Sequence, residues 1–301
     1  KVLLLKFFDN SDFGYHKVTI ERPKRLKAQF TSERITELRY DKGLKEAMVH
    51  AYETYGEAIY KDIEKYKKDI LDWCEKNELN LTAANQKKLV AKATWDKQAF
   101  LLEQATILTK IIGDEIFTDF NVFKQKVDAV IKDQKLKLGA SEKNAILNAV
   151  SWYDADAEKV VKSIVKLSGD KLATLLAHLD CEETELADYG YYSKESIGVT
   201  SSGVEKSLKK GEYLTYETES DLRDTENVPL KENIHPYFLR EVQPHVAEAW
   251  INLDAMKIGY EISFNKYFYQ HKPLRSLEDV TADILALEKE SDGLIAEILN
   301  W

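Results

Sequence analysis

The sequence predicts a mainly α protein: a helical bundle or arm with small β-hairpin elements near both ends and a C-terminal heptad helix. Three observations support this fold class. No proline lies between Pro23 and Pro229, so most of the chain can be helical without a break. Apolar residues recur at spacings of three and four from about residue 44 to 169, the period of an amphipathic helix. Four of the five prolines follow residue 228, in a block rich in turn and strand patterns.

The chain divides by pattern into five segments. They are a strand pair with a basic connector (1–40), a helical domain (41–185), a loop or linker (186–220), a turn and hairpin segment (221–275) and the heptad helix (276–301).

Composition bears on nucleic-acid binding, on disulfide bonds and on the cellular compartment. The net charge of -9 is a poor match to a protein that binds nucleic acid mainly by itself, although a local basic stripe or a basic partner can supply positive charge. The two cysteines, Cys74 and Cys181, lie far apart and outside any C-x-x-C pattern, which is typical of a reducing cytosol. No long apolar run or signal peptide is present, so we expect a cytoplasmic protein.

The first segment predicts two strands, Leu3–Phe8 and Tyr15–Glu21, paired through a turn at residues 9–14. A basic cluster follows. It contains Arg22, Lys24, Arg25 and Lys27, and then Arg34 and Arg39. Two interpretations stay open: a solvated surface, or a patch that contacts DNA phosphates.

The helical segment begins with one continuous apolar stripe. Its members are Met48, Tyr52, Tyr55, Ile59, Ile63, Tyr66, Ile70 and Trp73. A second helix is predicted from an N-cap at Thr82 to a C-terminal glycine at Gly113. Shorter helices are predicted at about 119–135, 141–152 and 155–168. We expect Trp73, Trp95 and Trp152 to be core residues rather than ligand-stacking residues.

The segment 186–220 is rich in Tyr, Ser, Gly, Lys and Glu, which predicts a surface loop or partly ordered linker. Its lysines Lys206, Lys209 and Lys210, among aromatic residues, are alternatively suited to nucleic acid.

In the next segment, the alternation of Ile258–Phe264 and the turn residues after it predict a hairpin with Tyr267–Tyr269. A short helix is predicted from Pro236.

The last segment predicts a capped coiled-coil helix. Ser276 and Asp279 have the spacing of a capping box. The apolar seam, with Ser291 as a polar interruption, contains Leu277, Val280, Ile284, Leu287, Leu294 and Ile298. The other faces are strongly acidic, so this helix is unsuited to DNA phosphates and suited to a helix partner.

Several ordered blocks carry a family resemblance. They are FDNSDFGY at 8–15, VTIERP at 18–23, DLRDTENVPL at 221–230, EVQPHV at 241–246 with AWI at 249–251, IGYEISF at 258–264 and YFY at 267–269. These blocks resemble the C-terminal region of modification (M) subunits of type I restriction–modification systems. The resemblance is dense at 7–25 and 221–290 and loose across the helices between.

The resemblance implies that the parent protein is an S-adenosylmethionine-dependent adenine-N6 DNA methyltransferase. Its implied partners are DNA, a specificity (S) subunit that reads the target and a restriction subunit. This chain has no Pro-Pro pair and no G-x-G at a strand–helix turn, so the family's catalytic and cofactor motifs cannot be placed on it. We therefore expect a non-catalytic C-terminal part with no cofactor, catalytic or metal site of its own, cut from a longer protein.

Two other classes compete with this hypothesis. A stand-alone helical scaffold is favoured by the long region 44–168, which lacks any polar constellation suited to catalysis. A metal enzyme would need His235, Glu241 and His245, but Pro244 intervenes and neither a fourth ligand nor an H-E-x-x-H motif is present.

Overall fold

The computed structural model describes residues 9–197, 208–262 and 275–299, with the side chains of 292–299 outside the description. The helices are α1 (Asn10–Phe13), α2 (Ser32–Thr36), α3 (Lys45–Tyr55), α4 (Ala58–Lys61), α5 (Lys67–Lys76), α6 (Ala83–Leu89), α7 (Lys92–Ile112), α8 (Phe120–Asp133), α9 (Ala140–Ala149), α10 (Asp170–Leu179), α11 (Lys194–Ile197), α12 (Ile234–Glu241) and α13 (Leu277–Leu299). The strands are β1 (Gly14–Glu21), β2 (Leu26–Ala28), β3 (Ser151–Tyr153), β4 (Val161–Lys166), β5 (Glu212–Tyr216), β6 (Asp224–Pro229) and β7 (Trp250–Tyr260). The mainly α prediction is confirmed, with small antiparallel sheets added to it.

A three-stranded antiparallel sheet, in the order β6-β1-β7, joins a strand near the start of the described chain to two strands from residues 224–260. Ile20 pairs with Ile251 on β7, and His16 pairs with Val228 on β6. Val18, Ile20, Val228 and Ile251 are buried on the face that α12 covers through Phe238. The segments 1–40 and 221–275 therefore contribute strands to one sheet.

The sequence predicted β1 correctly but not its partners. The expected partner Leu3–Phe8 lies outside the described residues, and α1 occupies most of the expected turn. The proline block at 224–229, expected as a turn, is strand β6. The strand expected from Ile258 starts earlier, at Trp250, and pairs with β1, while Tyr267–Tyr269 falls outside the description. Long-range pairing of this kind leaves no trace in a local pattern.

The predicted apolar stripe is interrupted, because α3 ends at Gly56, whose φ of 56° is the left-handed conformation that favours glycine. The chain then folds back through α4 and α5, which buries Met48, Ile59 and Ile70 together. The second predicted helix has the expected ends. Thr82 Oγ1 accepts a hydrogen bond from the Asn85 amide (3.3 Å) and Gly113 caps α7, but a break between α6 and α7 divides it.

The helix predicted at 155–168 is wrong. Residues 161–166 form β4, which pairs with β5 in a two-stranded antiparallel sheet. Val161, Ile164 and Val165 have helix-like spacing, but their β-branched side chains favour strands. The helix predicted at 141–152 ends earlier, at Ala149, and Trp152 lies in β3, which pairs with β2.

The loop or linker predicted at 186–220 is also corrected in its described parts. Leu186 and Tyr189 belong to a 3-10 helix, Glu183–Tyr189, and are buried under the main sheet. Leu214 of β5 is fully buried. Residues 198–207 lie outside the description. Polar composition concealed this packing because the buried Leu186, Tyr189, Tyr213, Leu214 and Tyr216 stand among polar residues.

Candidate functional site

The most exposed apolar surface of the described chain lies on α13. The helix begins as predicted, since Ser276 Oγ accepts a hydrogen bond from the Asp279 amide (3.1 Å) and donates one to its carboxylate (2.7 Å). The seam residues remain open to solvent: Leu277 is 83% exposed, Ile284 59% and Leu287 64%. Val280 is 38% exposed. The seam therefore has apolar area available for a partner.

The positions around this seam are acidic. Glu278, Asp279, Asp283, Glu288 and Glu290 are all exposed along α13. The Arg275 guanidinium forms an ion pair with Asp283 and donates to the Asp279 carbonyl (3.3 Å). Arg275 and the exposed Lys289 offset part of this charge. We define α13 from Leu277 to Leu287 as the docking seam. The side chains of Leu294 and Ile298, the two other predicted seam residues, lie outside the description.

Two residues of the predicted DNA-contacting cluster are instead engaged within the chain. Arg25 donates to Glu248 through Nη2 (2.5 Å) and Nε (3.3 Å), and Lys159 Nζ lies 3.1 Å from the same carboxylate. Burial raises the pKa of Glu248, but the hydrogen bonds and charges of these two cations outweigh burial and lower it. Arg25 therefore connects the β1–β2 region to the turn before β7.

Lys27 is similarly occupied. Its ammonium group lies 2.8 Å from Asp154, and its hydrogen bond, with one from the Asp156 amide, lowers the pKa of that carboxyl. Arg25 and Lys27 therefore form internal ion pairs, which reduces the positive charge that they present to a DNA backbone.

The two other members of the cluster differ. The Arg22 carbonyl accepts a hydrogen bond from the Glu219 amide (3.0 Å), and its Nε is buried without a hydrogen-bond partner among the described residues. Lys24 is half-buried and lines a cavity of about 470 Å³. Further along, Arg34 stacks on Trp152 and Arg39 on Tyr52, at 3.7 and 3.8 Å from the ring centroids.

The lysines of the second predicted cluster sit at the turn before β5. Lys209 and Lys210 are exposed and line a cavity of about 980 Å³ beside Lys194. Glu183, Glu195 and Glu212 line the same cavity, so its charge is mixed. Lys206 lies outside the described residues. The structure brings Lys209 and Lys210 together but does not join them to the Arg22–Lys27 region in one of the described cavities.

The metal hypothesis included His235, whose contacts the structure shows. His235 lies between two carboxylates, with Nδ1 3.1 Å from Glu185 and Nε2 2.8 Å from Asp188, so both ring nitrogens are engaged. Within the described ranges, no group of three or more His, Cys, Asp or Glu side chains is arranged to hold a metal ion.

The sequence interpretation missed the environment of Trp152. Trp95 is fully buried, as expected of a core residue, whereas Trp152 is only half-buried and lines the 470 Å³ cavity with the exposed Tyr153. The signal available in the sequence was the pair of adjacent aromatics, because consecutive residues of a strand point to opposite faces and cannot both enter one core.

Comparison with known proteins supplied no relative: the chain matches no protein-family model, no curated protein and no solved structure. Among the helices that the structure describes, none has the length and apolar character needed to cross a membrane.

Proposed function

We propose that this chain is the non-catalytic C-terminal part of the modification subunit of a type I restriction–modification system, and that α13 docks the specificity subunit. The observation that carries the proposal is the docking seam: apolar side chains at heptad spacing, exposed on a helix with acidic flanks. The ordered sequence blocks at 8–23 and 221–269 supply the family resemblance.

Burial of the docking seam against a partner would be energetically favourable. Complete burial of one Leu, Ile or Val side chain contributes about 1.5–3 kcal/mol relative to exposure. Ile284 and Leu287 are both more than half exposed, so most of that free energy is still available. A partner helix with its own heptad seam would bury these side chains by knobs-into-holes packing and so gain this free energy.

The acidic side chains of α13 determine which kind of partner helix can bind it. Glu278, Asp283, Glu288 and Glu290 would repel a second copy of α13 and attract lysines and arginines that flank the seam of a partner. We therefore expect a basic amphipathic helix on the specificity subunit rather than homodimerisation through α13.

The remaining roles follow from the resemblance. The parent subunit would transfer the methyl group from S-adenosylmethionine in a part of the protein upstream of this chain, and the restriction subunit would join the assembled cytoplasmic complex. Of the candidate DNA-backbone residues, Lys24, Lys209 and Lys210 are the best suited to the secondary role of holding DNA, because Arg25 and Lys27 have internal carboxylate partners.

Reconstitution tests this proposal. The chain and a truncated form ending at residue 275 are each co-expressed with the cognate specificity subunit and separated by size-exclusion chromatography. We expect a stable complex with the intact chain and none with the truncated form. Equal binding by both forms would contradict the docking role. A native gene without an upstream Asn-Pro-Pro-aromatic motif would favour the stand-alone scaffold instead.

A further inference from the structure

The second half of β7 is an edge strand that the docking role does not use. In the sheet order β6-β1-β7, β7 pairs with β1 along one side, and no other strand among the described residues pairs with its second side. Within residues 254–262 every residue except Gly259 is exposed. An unpaired strand edge of this kind offers a row of free backbone groups to another strand.

The large apolar residues of this segment share one face of the strand. They alternate along the chain, and they are Met256, Ile258, Tyr260 and Ile262. Ile258 is 57% and Tyr260 63% exposed. A Cβ built on Gly14 would lie 3.0 Å from the Tyr260 ring, and one built on Gly259 would lie 2.6 Å from the Tyr15 ring on the opposite face. Exposed apolar side chains on an open edge strand are typical of a site that pairs with another chain.

The backbone groups of the same apolar residues point away from β1. The Glu261 amide donates to the Phe13 carbonyl (2.9 Å), and the direction of the backbone groups alternates along a strand. The amide and carbonyl groups of Ile258 and Tyr260 therefore face the open side of β7, where a second strand can bind them.

Two exposed charges of opposite sign lie at equal distances on either side of Gly259. They are Lys257 and Glu261, and neither side chain has an ion-pair partner among the described residues. Lys257 lies directly opposite Lys17 of β1, and like charges at opposite positions of a strand pair are destabilising. A carboxylate beside Lys257 on the open side of β7 would offset this repulsion.

We propose that two copies of this chain pair through the open edges of β7, antiparallel and about a two-fold axis at Gly259. In a symmetric antiparallel pair the axis passes between one residue and its own copy, because hydrogen-bonded and non-hydrogen-bonded pairs alternate along the strands. With Gly259 at the axis, Lys257 of each copy faces Glu261 of the other. No other symmetric register brings these two residues opposite each other.

The same register also matches the apolar face. It places Ile258 opposite Tyr260 of the second copy and Met256 opposite Ile262, so that the apolar side chains of both copies form one continuous face. Gly259 adds no side chain at the axis, where the two strands meet. The two sheets would thus join into one by strand addition, with main-chain hydrogen bonds between the copies.

The intact chain alone suffices for the test, because the proposal does not rest on the docking of a specificity subunit. Sedimentation velocity over a wide range of concentrations should show a reversible monomer–dimer equilibrium. Lys257→Glu and Glu261→Lys should each weaken dimerisation at least about tenfold, since each change replaces two attractive contacts of the symmetric pair by two repulsive ones. The double variant Lys257→Glu/Glu261→Lys restores both contacts and should recover the affinity.

A further variant tests the role of the backbone. Ile258→Pro removes an amide that points to the open side of an edge strand, where proline is tolerated, and should abolish the dimer without unfolding the chain. Lys162→Glu changes an exposed lysine of β4, which is also at a sheet edge, and should leave the dimer unchanged. Circular dichroism identifies any unfolded variant.

The remaining outcomes identify other occupants of the edge or other contacts. A monomer at every concentration would overturn the proposal, and it is the result expected if the hairpin predicted with Tyr267–Tyr269 covers this edge within one chain. A dimer that Ile284→Glu abolishes and Ile258→Pro leaves intact would assign the contact to α13 and overturn it too. Unchanged dimerisation by folded Lys257→Glu, or a double variant as weak as the single ones, would contradict the register.

Discussion

Arg25 holds Glu248 through two hydrogen bonds, from Nη2 at 2.5 Å and from Nε at 3.3 Å, across most of the length of the chain. This pair, with Lys159, fastens the segment between β1 and β2 to the turn that leads into β7. It also explains why a local basic cluster in the sequence is not simply a free surface for phosphates.

Glu248→Gln should therefore destabilise the protein in a pH-dependent way. The pKa of Glu248 is lowered in the folded state from its ordinary value of 4.5, so its stabilising effect is present above that value and is lost as the pH falls through the folded pKa. We expect a lower urea midpoint than wild type at pH 7 and a difference that narrows below pH 4.5. Glu217→Gln at an exposed position is the control. A constant difference across this range would show that the charge of Glu248 is not the cause.

Gly190→Ala should be strongly destabilising. Gly190 has a φ of 83°, and a Cβ built there would lie 2.8 Å from the indole of the buried Trp250. Backbone strain and this overlap together predict a loss of about 1–3 kcal/mol in the free energy of unfolding. Gly43→Ala is the matched control, since its Cβ would meet only Asp41 at 3.5 Å. A Gly190→Ala protein as stable as the control would contradict the packing of Trp250 described here.

Arg223 should be coupled energetically to Glu21. Glu21 is only 2% exposed, and one of its oxygens accepts from Arg223 Nε (2.9 Å) and Asn252 Nδ2 (3.3 Å). Arg223→Ala leaves this buried carboxylate without its cation, at a cost of about 1–3 kcal/mol. In the double variant with Glu21→Gln, the loss should be smaller than the sum of the single losses. Additive losses in urea unfolding would show that the two side chains do not interact.

The sequence was sufficient for elements whose signals are local. The caps at Thr82, Gly113 and Ser276 and the strand predicted at Tyr15–Glu21 all correspond to structure. It failed at β4, where the spacing of Val161, Ile164 and Val165 imitates a helix while the pairing strand β5 lies far along the chain.

The candidate sites divide in the same way. The helix and its apolar residues could be read from a local pattern, and the structure shows Leu277, Ile284 and Leu287 exposed on it, while their docking role stays a proposal. The ion pairs of Arg25 and Lys27 could not be predicted, since Glu248 and Asp154 are remote in sequence. The 470 Å³ cavity beside Trp152 was missed for a related reason: its walls come from four separate stretches of chain.

The docking role of α13 is the central claim, and a charge placed in the seam tests it most directly. The affinity of Ile284→Glu for the specificity subunit is measured by isothermal titration calorimetry, beside Ala282→Glu, which adds the same charge on another face of the same helix. We predict that Ile284→Glu weakens binding at least about 30-fold, equivalent to about 2 kcal/mol, with unchanged thermal stability of the chain, and that Ala282→Glu binds like wild type. Equal affinities for Ile284→Glu and wild type would contradict the claim.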